Sequence, residues 1–105
     1  MVFMKMEVEA IASIVPSVRA EIARELVYSH RLNQQEVSSL LGVSQPAVSQ
    51  YVRQLRGRRY REDFVRKEVE LICSKLVRGA KNDLESDIYR LCKMIIENKS
   101  RQRNA

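Results

Sequence analysis

The sequence predicts an all-α protein, a small bundle of helices with a tight turn near its middle. The chain of 105 residues is 45% hydrophobic but has only three glycines and two prolines, a composition typical of one folded, mostly helical domain. Apolar residues recur every three or four positions along most of the chain, the spacing that gives a helix one buried face. Two segments also begin with capping patterns that open helices.

The first predicted helix spans residues 16–30. Val18, Ile22 and Leu26 repeat at helical spacing, and Pro16 suits a first helical turn, where its missing N–H is not needed. Residues 1–15 form a separate N-terminal element, for which the pattern fits either a short helix or an extended arm.

Two short helices follow. Asn33 stands three residues before Glu36, a capping-box pattern that predicts a helix over residues 34–41. Gly42 supplies the positive φ of a tight turn, and Ser44 can cap the next helix.

These two helices share an apolar seam. The second of them is predicted over residues 45–55 or slightly further, and Ser38 must be small because it faces this helix at close range. Two short helices joined by a glycine turn are the geometry of a helix-turn-helix, so residues 16–60 are predicted to form one such domain. The apolar residues that meet in the seam are Val37, Leu41, Val43, Val48 and Tyr51.

Two longer helices are predicted towards the C-terminus. The first covers residues 61–78 and ends at Gly79, which suits a left-handed closing residue. Asn82 with Glu85 repeats the capping pattern for the last helix. Residues 99–105 are expected to be a disordered tail.

The outer face of the helix over residues 45–55 carries the side chains that suit DNA. Gln pairs with adenine and Arg with guanine through two hydrogen bonds, Ser serves either base, and the carbons of Pro46 and Ala47 can meet a thymine methyl group. The opposite arc, which includes Val52 and Leu55, is apolar and points inward. The residues predicted to read bases of double-stranded DNA are Gln45, Pro46, Ser49, Gln50 and Arg53.

Positive charge is concentrated in one part of the chain. The formal net charge is +6, and residues 45–67 hold seven basic residues against Glu62 and Asp63, whereas residues 1–44 are nearly neutral. A local basic excess is what a polyanion selects, although a charged run is often only solvated surface. The residues predicted to contact phosphates or a minor groove are Gln34, Gln35, Ser44, Arg56, Arg58, Arg59 and Arg61.

The helical hairpin of residues 61–98 carries more aliphatic surface than a small three-helix core requires, which predicts a symmetric dimer. One helix-turn-helix covers about half a site, and dimers read two half-sites about 34 Å apart. The alternative is that the hairpin folds back to complete a five-helix monomer. The predicted interface comprises Val65, Val69, Ile72, Leu76, Leu84, Ile88, Leu91 and Ile95, widened by Phe64, Leu71, Val77 and Ile96.

The segments LNQQEVSSLLGVSQPAVSQYV and VPSVRAEIARELV resemble the helix-turn-helix module of the lambda-repressor and Cro superfamily. More narrowly, residues 16–57 are similar to a group of small archaeal transcriptional regulators, some of which carry a thiamine-phosphate-sensing domain after this module. The resemblance implies that residues 45–55 form the recognition helix. The sequence departs from that group at Gln54, where relatives often have glycine, and it lacks the sensing domain, so no small-molecule effector is implied.

Cys73 and Cys92 lie beside apolar positions in the last two predicted helices, so buried reduced thiols are expected. A disulfide, a redox switch and an iron–sulfur cluster shared by a dimer are the alternatives. The single histidine, His30, suits the end of a helix and is distant from both cysteines, and no zinc-ligand spacing occurs. No metal or cofactor is therefore expected.

The sequence favours a sequence-specific DNA-binding transcription regulator that acts as a homodimer. No catalytic motif is present, so a non-enzyme is expected. The alternatives are a non-specific architectural DNA-binding protein, or an interaction module such as an antitoxin or a recombinase adaptor. No segment approaches the roughly 18 apolar residues that span a membrane, and no signal-peptide pattern opens the chain, so a cytoplasmic, nucleoid-associated location is expected.

Overall fold

The structure, a computed structural model, describes residues 2–53, 60–80 and 83–104. These ranges contain α-helices and no strand, which confirms the all-α prediction, and no helix in them has the length and apolar character needed to cross a membrane. The helices are α1 Val2–Tyr28, α2 Gln34–Leu41, α3 Gln45–Arg53, α4 Asp63–Val77 and α5 Leu84–Asn104.

The first helix is longer than predicted, because residues before Pro16 continue it without a break. Pro16 lies inside α1 rather than in its first turn. Proline has no N–H to donate to the carbonyl of Ala12, but both residues are exposed, so water can bond that carbonyl. Ile11 and Ile14 are buried and extend the apolar stripe of α1. Their burial holds this half of the helix in place despite the proline.

The long α1 lies at the centre of the bundle and contacts each of the other four helices. It runs antiparallel to α5, since Glu7, near the start of α1, pairs with Lys93, while Arg19, further along, pairs with Glu85. Helices α4 and α5 also run antiparallel to each other. The ion pairs that show this are Lys75 with Asp87 at 2.7 Å and Arg90 with Glu68 at 3.0 Å.

One hydrophobic core extends through all five helices. Fully burying one aliphatic side chain contributes about 1.5–3 kcal/mol to the free energy of unfolding. Because the core is shared, the same set of contacts stabilises α2, α3 and the α4–α5 hairpin. The largest aliphatic side chains with almost no exposed surface are Val18, Ile22, Leu26, Val37, Val48, Val65, Ile72, Leu76, Ile88, Leu91 and Ile95.

The predicted dimer interface needs correction, because its eight residues belong to this core. Each of them is 7% exposed or less within a single chain, so in this fold they have no surface to offer a second copy. The hairpin has folded back onto α1, which is the five-helix alternative. The eight residues are Val65, Val69, Ile72, Leu76, Leu84, Ile88, Leu91 and Ile95.

The four residues predicted to widen the interface are divided between core and surface. Leu71 and Val77 are exposed, whereas Phe64 and Ile96 are partly buried against the core. Dimerisation itself stays a prediction.

The C-terminal end is helical, although a disordered tail was expected from residue 99. Helix α5 continues to Asn104. Its last turns contain no proline or glycine and are rich in lysine, arginine and glutamine, which are good helix formers. At the other end of the hairpin, Gly79 has the expected left-handed conformation, with φ of 92°. The predicted cap Asn82 lies outside the described residues.

Candidate nucleic-acid interface

The start of α2 is held by the predicted capping box. The backbone N–H of Glu36 donates to Oδ1 of Asn33 at 2.8 Å, and the N–H of Asn33 donates to Oε1 of Glu36 at 3.0 Å. Two amides that lack partners in the first turn of a helix are thereby satisfied. The position at which α2 begins is therefore set by local sequence.

The turn between α2 and α3 depends on Gly42. This residue has φ of 68° and ψ of 33°, and its N–H donates to the carbonyl of Ser38 at 2.9 Å. A Cβ placed on Gly42 would meet no atom within 4 Å, so glycine is needed here for its backbone conformation and not for space. Helix α3 begins at Gln45. Ser44 caps it, because Oγ of Ser44 accepts a hydrogen bond from the N–H of Ala47 at 3.2 Å.

The seam between α2 and α3 is apolar, as expected. Val37, Leu41 and Val48 are buried, and Val43 and Tyr51 are partly buried against them. Ser38 is half-buried, and its hydroxyl donates to the carbonyl of Gln35 at 2.9 Å. The two short helices are therefore fixed to each other by side-chain packing as well as by the turn.

The face of α3 opposite this seam is polar and open to solvent. On the buried side of the helix, the central residue Val48 has no exposed surface. Ser49 is half-buried, so it is less accessible than the other residues predicted to read bases. Those that are exposed are Gln45, Pro46, Gln50 and Arg53.

The residues predicted to contact phosphate lie in three places. Gln34 and Gln35 are exposed in the first turn of α2, and Arg61 is exposed just before α4. Ser44 is exposed, but its hydroxyl already caps α3. Arg56, Arg58 and Arg59 lie outside the described residues, as do Gln54 and Leu55.

A buried arginine that the sequence reasoning missed connects α3 to α1. Arg24 is 9% exposed; its Nη1 donates to the carbonyl of Tyr51 at 3.0 Å, and its Nη2 pairs with the carboxylate of Glu21. Tyr51 lies in the last described turn of α3, and a charged donor forms a strong hydrogen bond with a backbone carbonyl. Arg24 therefore fixes the C-terminal end of α3 against α1. The only signal in sequence is the Glu21–Arg24 spacing of three, which is common on exposed helix faces.

A second tertiary contact holds the chain just beyond the arginine-rich segment. Tyr60 is buried, and its hydroxyl lies 3.0 Å from Oγ of Ser17 on α1. The described residues on both sides of segment 54–59 are thus attached to α1, one side through Arg24 and the other through Tyr60.

The two cysteines are buried free thiols in different helices. Burial raises the pKa of Cys92 to about 11, with a smaller opposing effect from Arg19. Burial also raises the pKa of Cys73 well above its ordinary value, and the nearby carboxylates Glu25 and Glu70 raise it further. Both thiols stay protonated near neutral pH, the form that is a poor nucleophile and a poor metal ligand. Within the described part of the chain, no group of three or more histidine, cysteine or acidic residues could hold a metal ion.

Comparison of the chain with protein-family models, with curated proteins and with solved structures finds no match. The resemblance to small archaeal regulators therefore remains an expectation from sequence motifs. The case for a function rests on the geometry of α2, the Gly42 turn and α3.

Proposed function

We propose that the protein is a sequence-specific DNA-binding regulator of transcription, and that α2 and α3 form its helix-turn-helix. The observation that carries the proposal is the two-sided character of α3. Val48 is wholly buried on one side, whereas Gln50 and Arg53 are exposed on the other and Gln45 is exposed at the start of the helix. Amide and guanidinium groups on one exposed helical face match the hydrogen-bonding pattern of base edges in a major groove.

The rigid attachment of α3 supports a reading role. Base recognition requires side chains that are held in one orientation, because each bidentate contact depends on geometry. The seam with α2 fixes one side of α3, and the hydrogen bond from Arg24 to the carbonyl of Tyr51 fixes its end.

The start of α2 supports contacts to the DNA backbone beside the groove. Gln34 and Gln35 are exposed there, and amide side chains commonly position a protein on phosphates without reading sequence.

The regulator is proposed to act as a homodimer, since one helix-turn-helix reads about half a site. Because the apolar faces of α4 and α5 are used within one chain, the two copies must meet through other residues. Light scattering at micromolar concentration tests this proposal. A mass near 12.2 kDa, that of one chain, would contradict it.

Selection from a library of random-sequence duplexes tests the function. A regulator should enrich one sequence and bind it at least about 10³-fold more tightly than random DNA at the same salt concentration. An architectural protein would bind tightly without enrichment. A protein interaction module would bind no duplex. Either of those results would reject the proposal.

A further inference from the structure

The net charge of the chain lies in two segments that are far apart in sequence. Residues 54–67 contain six basic and two acidic residues, and residues 97–105 contain three basic and one acidic residue. Residues 1–53 contain five basic and five acidic residues, as do residues 68–96, so both ranges are neutral. The whole formal charge of +6 therefore belongs to the two basic segments.

The fold brings the described parts of these segments, residues 60–67 and 97–104, together at one end of the α4–α5 hairpin. Because α4 and α5 run antiparallel, the first turn of α4 lies beside the last turns of α5. A shared surface groove shows the contact directly. It is lined by Phe64 of α4 and by Met94, Glu97, Asn98 and Arg101 of α5.

The described cations at this end of the hairpin have no carboxylate partner among the residues that the structure describes. Five of them, named here the basic surface, form no ion pair with another described residue, and all are exposed except Lys99, which is half-buried. In the neutral segments, Arg19, Lys75, Arg90 and Lys93 each pair with a carboxylate, whereas the exposed Arg53 and Arg78 form no ion pair with a described residue. The basic surface comprises Arg61, Arg66, Lys67, Lys99 and Arg101.

We propose that the basic surface binds phosphates of double-stranded DNA outside the groove that α3 reads. The choice of DNA rests on the proposed function. From the α2 cap to the end of α3, residues 33–53 hold one acid, Glu36, and one base, Arg53. The reading unit is therefore electrically neutral, although phosphate contacts supply most of the sequence-independent affinity of DNA-binding proteins. The basic surface supplies that missing attraction.

Salt dependence of binding tests the inference with a matched pair of variants. Arg101→Gln removes a charge from the basic surface, whereas Arg78→Gln removes the same charge from an exposed residue at the opposite end of α4. Each full-length variant is titrated with a random-sequence duplex and with the selected sequence over a range of salt concentrations. Arg101→Gln should lower the slope of log K against log salt by about 0.9 on both duplexes, and Lys99→Gln with Arg101→Gln by about 1.8. Arg78→Gln should leave the slope unchanged, and circular dichroism should show equal helicity for all.

The outcomes separate this inference from the proposed function. Equal slopes for Arg101→Gln, Arg78→Gln and the unmodified protein would overturn the inference and leave α3 as the reading helix. No binding of the unmodified protein to any duplex would overturn both. The last measurement is binding of the same variants to vesicles that contain anionic lipid. Vesicle binding that is lost in Arg101→Gln while the DNA slope stays unchanged would assign the basic surface to a membrane and overturn the inference.

Discussion

At the scale of the residue, Arg24 shows how one buried charge can connect the core helix α1 to the helix that carries the exposed polar face. Its side chain extends from α1, and the guanidinium donates a hydrogen bond to the carbonyl of Tyr51 in α3 and pairs with the carboxylate of Glu21. Its Nε has no hydrogen-bond partner among the described residues. Arg24 therefore leaves one buried N–H without a described partner while its Nη1 holds the carbonyl of Tyr51. This arrangement favours a fixed orientation of α3 over complete hydrogen bonding of the guanidinium.

Replacing Arg24 by methionine should both destabilise the protein and loosen α3. The carbonyl of Tyr51 and the carboxylate of Glu21 would lose a partner, at a cost of about 1–3 kcal/mol in the free energy of unfolding. Binding to the selected sequence should fall more than binding to random DNA, because recognition depends on the orientation of α3. Denaturant unfolding and DNA titration measure the two effects.

Arg19→Met is the matched control for this variant. Arg19 lies on the same helix, but its partner Glu85 is largely exposed, and such pairs contribute about 1 kcal/mol or less. Equal losses of stability and specificity in the two variants would contradict the role of Arg24.

Gln50 provides the direct test of base reading. Gln50→Ala should weaken binding to the selected sequence by about 1–3 kcal/mol and relax the preference at one base pair. Gln102→Ala, the same change at an exposed position of α5, should leave that preference intact. A loss of equal size on random DNA would show that Gln50 does not read sequence.

At the scale of the element, the turn between α2 and α3 is set by the conformation of one residue. Gly42 ends α2, and Ser44 caps α3 two residues later. The relative direction of the two helices depends on this short connection and on the seam beneath it. Backbone conformation and side-chain packing therefore specify the same geometry.

Substitutions at Gly42 should follow backbone preference rather than side-chain size. Alanine should cost about 1–2 kcal/mol, because an L-residue is strained at positive φ, and asparagine should cost less because it tolerates this region. Thermal or denaturant unfolding measures the difference. Gly79→Ala, at a second positive-φ glycine with open space around it, should cost a similar amount of stability but leave DNA binding unchanged. A smaller cost for alanine than for asparagine at Gly42 would contradict this account.

At the scale of the whole molecule, α1 makes the fold a single unit. It has 27 residues and contacts each of the other four helices, and its ion pairs with α5 extend from Glu7 to Arg19. The apolar faces of α4 and α5 are therefore covered within one chain. The α4–α5 hairpin in turn carries the basic surface.

Ile88→Asp should unfold the protein rather than dissociate a dimer. Ile88 is 2% exposed in the shared core, and an unpaired carboxylate buried there would cost several kcal/mol. Circular dichroism should show a loss of helicity together with any change in mass. Leu71→Asp, on the exposed side of α4, should keep its helicity. If the Ile88→Asp variant stays fully helical while its mass halves, Ile88 lies in a dimer interface, as the sequence predicted.

Much of the fold and of the candidate site could be predicted because the relevant forces act over a few residues. The box of Asn33 and Glu36, the positive φ of Gly42 and the cap at Ser44 depend on neighbours within four positions. The exposure of Pro46, Gln50 and Arg53 follows from helical rotation, whereas Ser49, expected on the same face, is half-buried. The prediction failed where a local rule met a longer-range force, as at Pro16, where burial of Ile11 and Ile14 keeps the helix continuous.

The sequence by itself determined that this chain is helical, where α2 and α3 begin, and which face of α3 is polar. Only the tertiary structure decided what covers the apolar faces of α4 and α5, because hydrophobic periodicity shows that a face is buried but not which surface buries it. The same limit applies to Arg24, whose partner is 27 residues away, and to the basic surface. The described residues of its two segments meet only because α4 and α5 are antiparallel, and no local pattern in either segment contains that information.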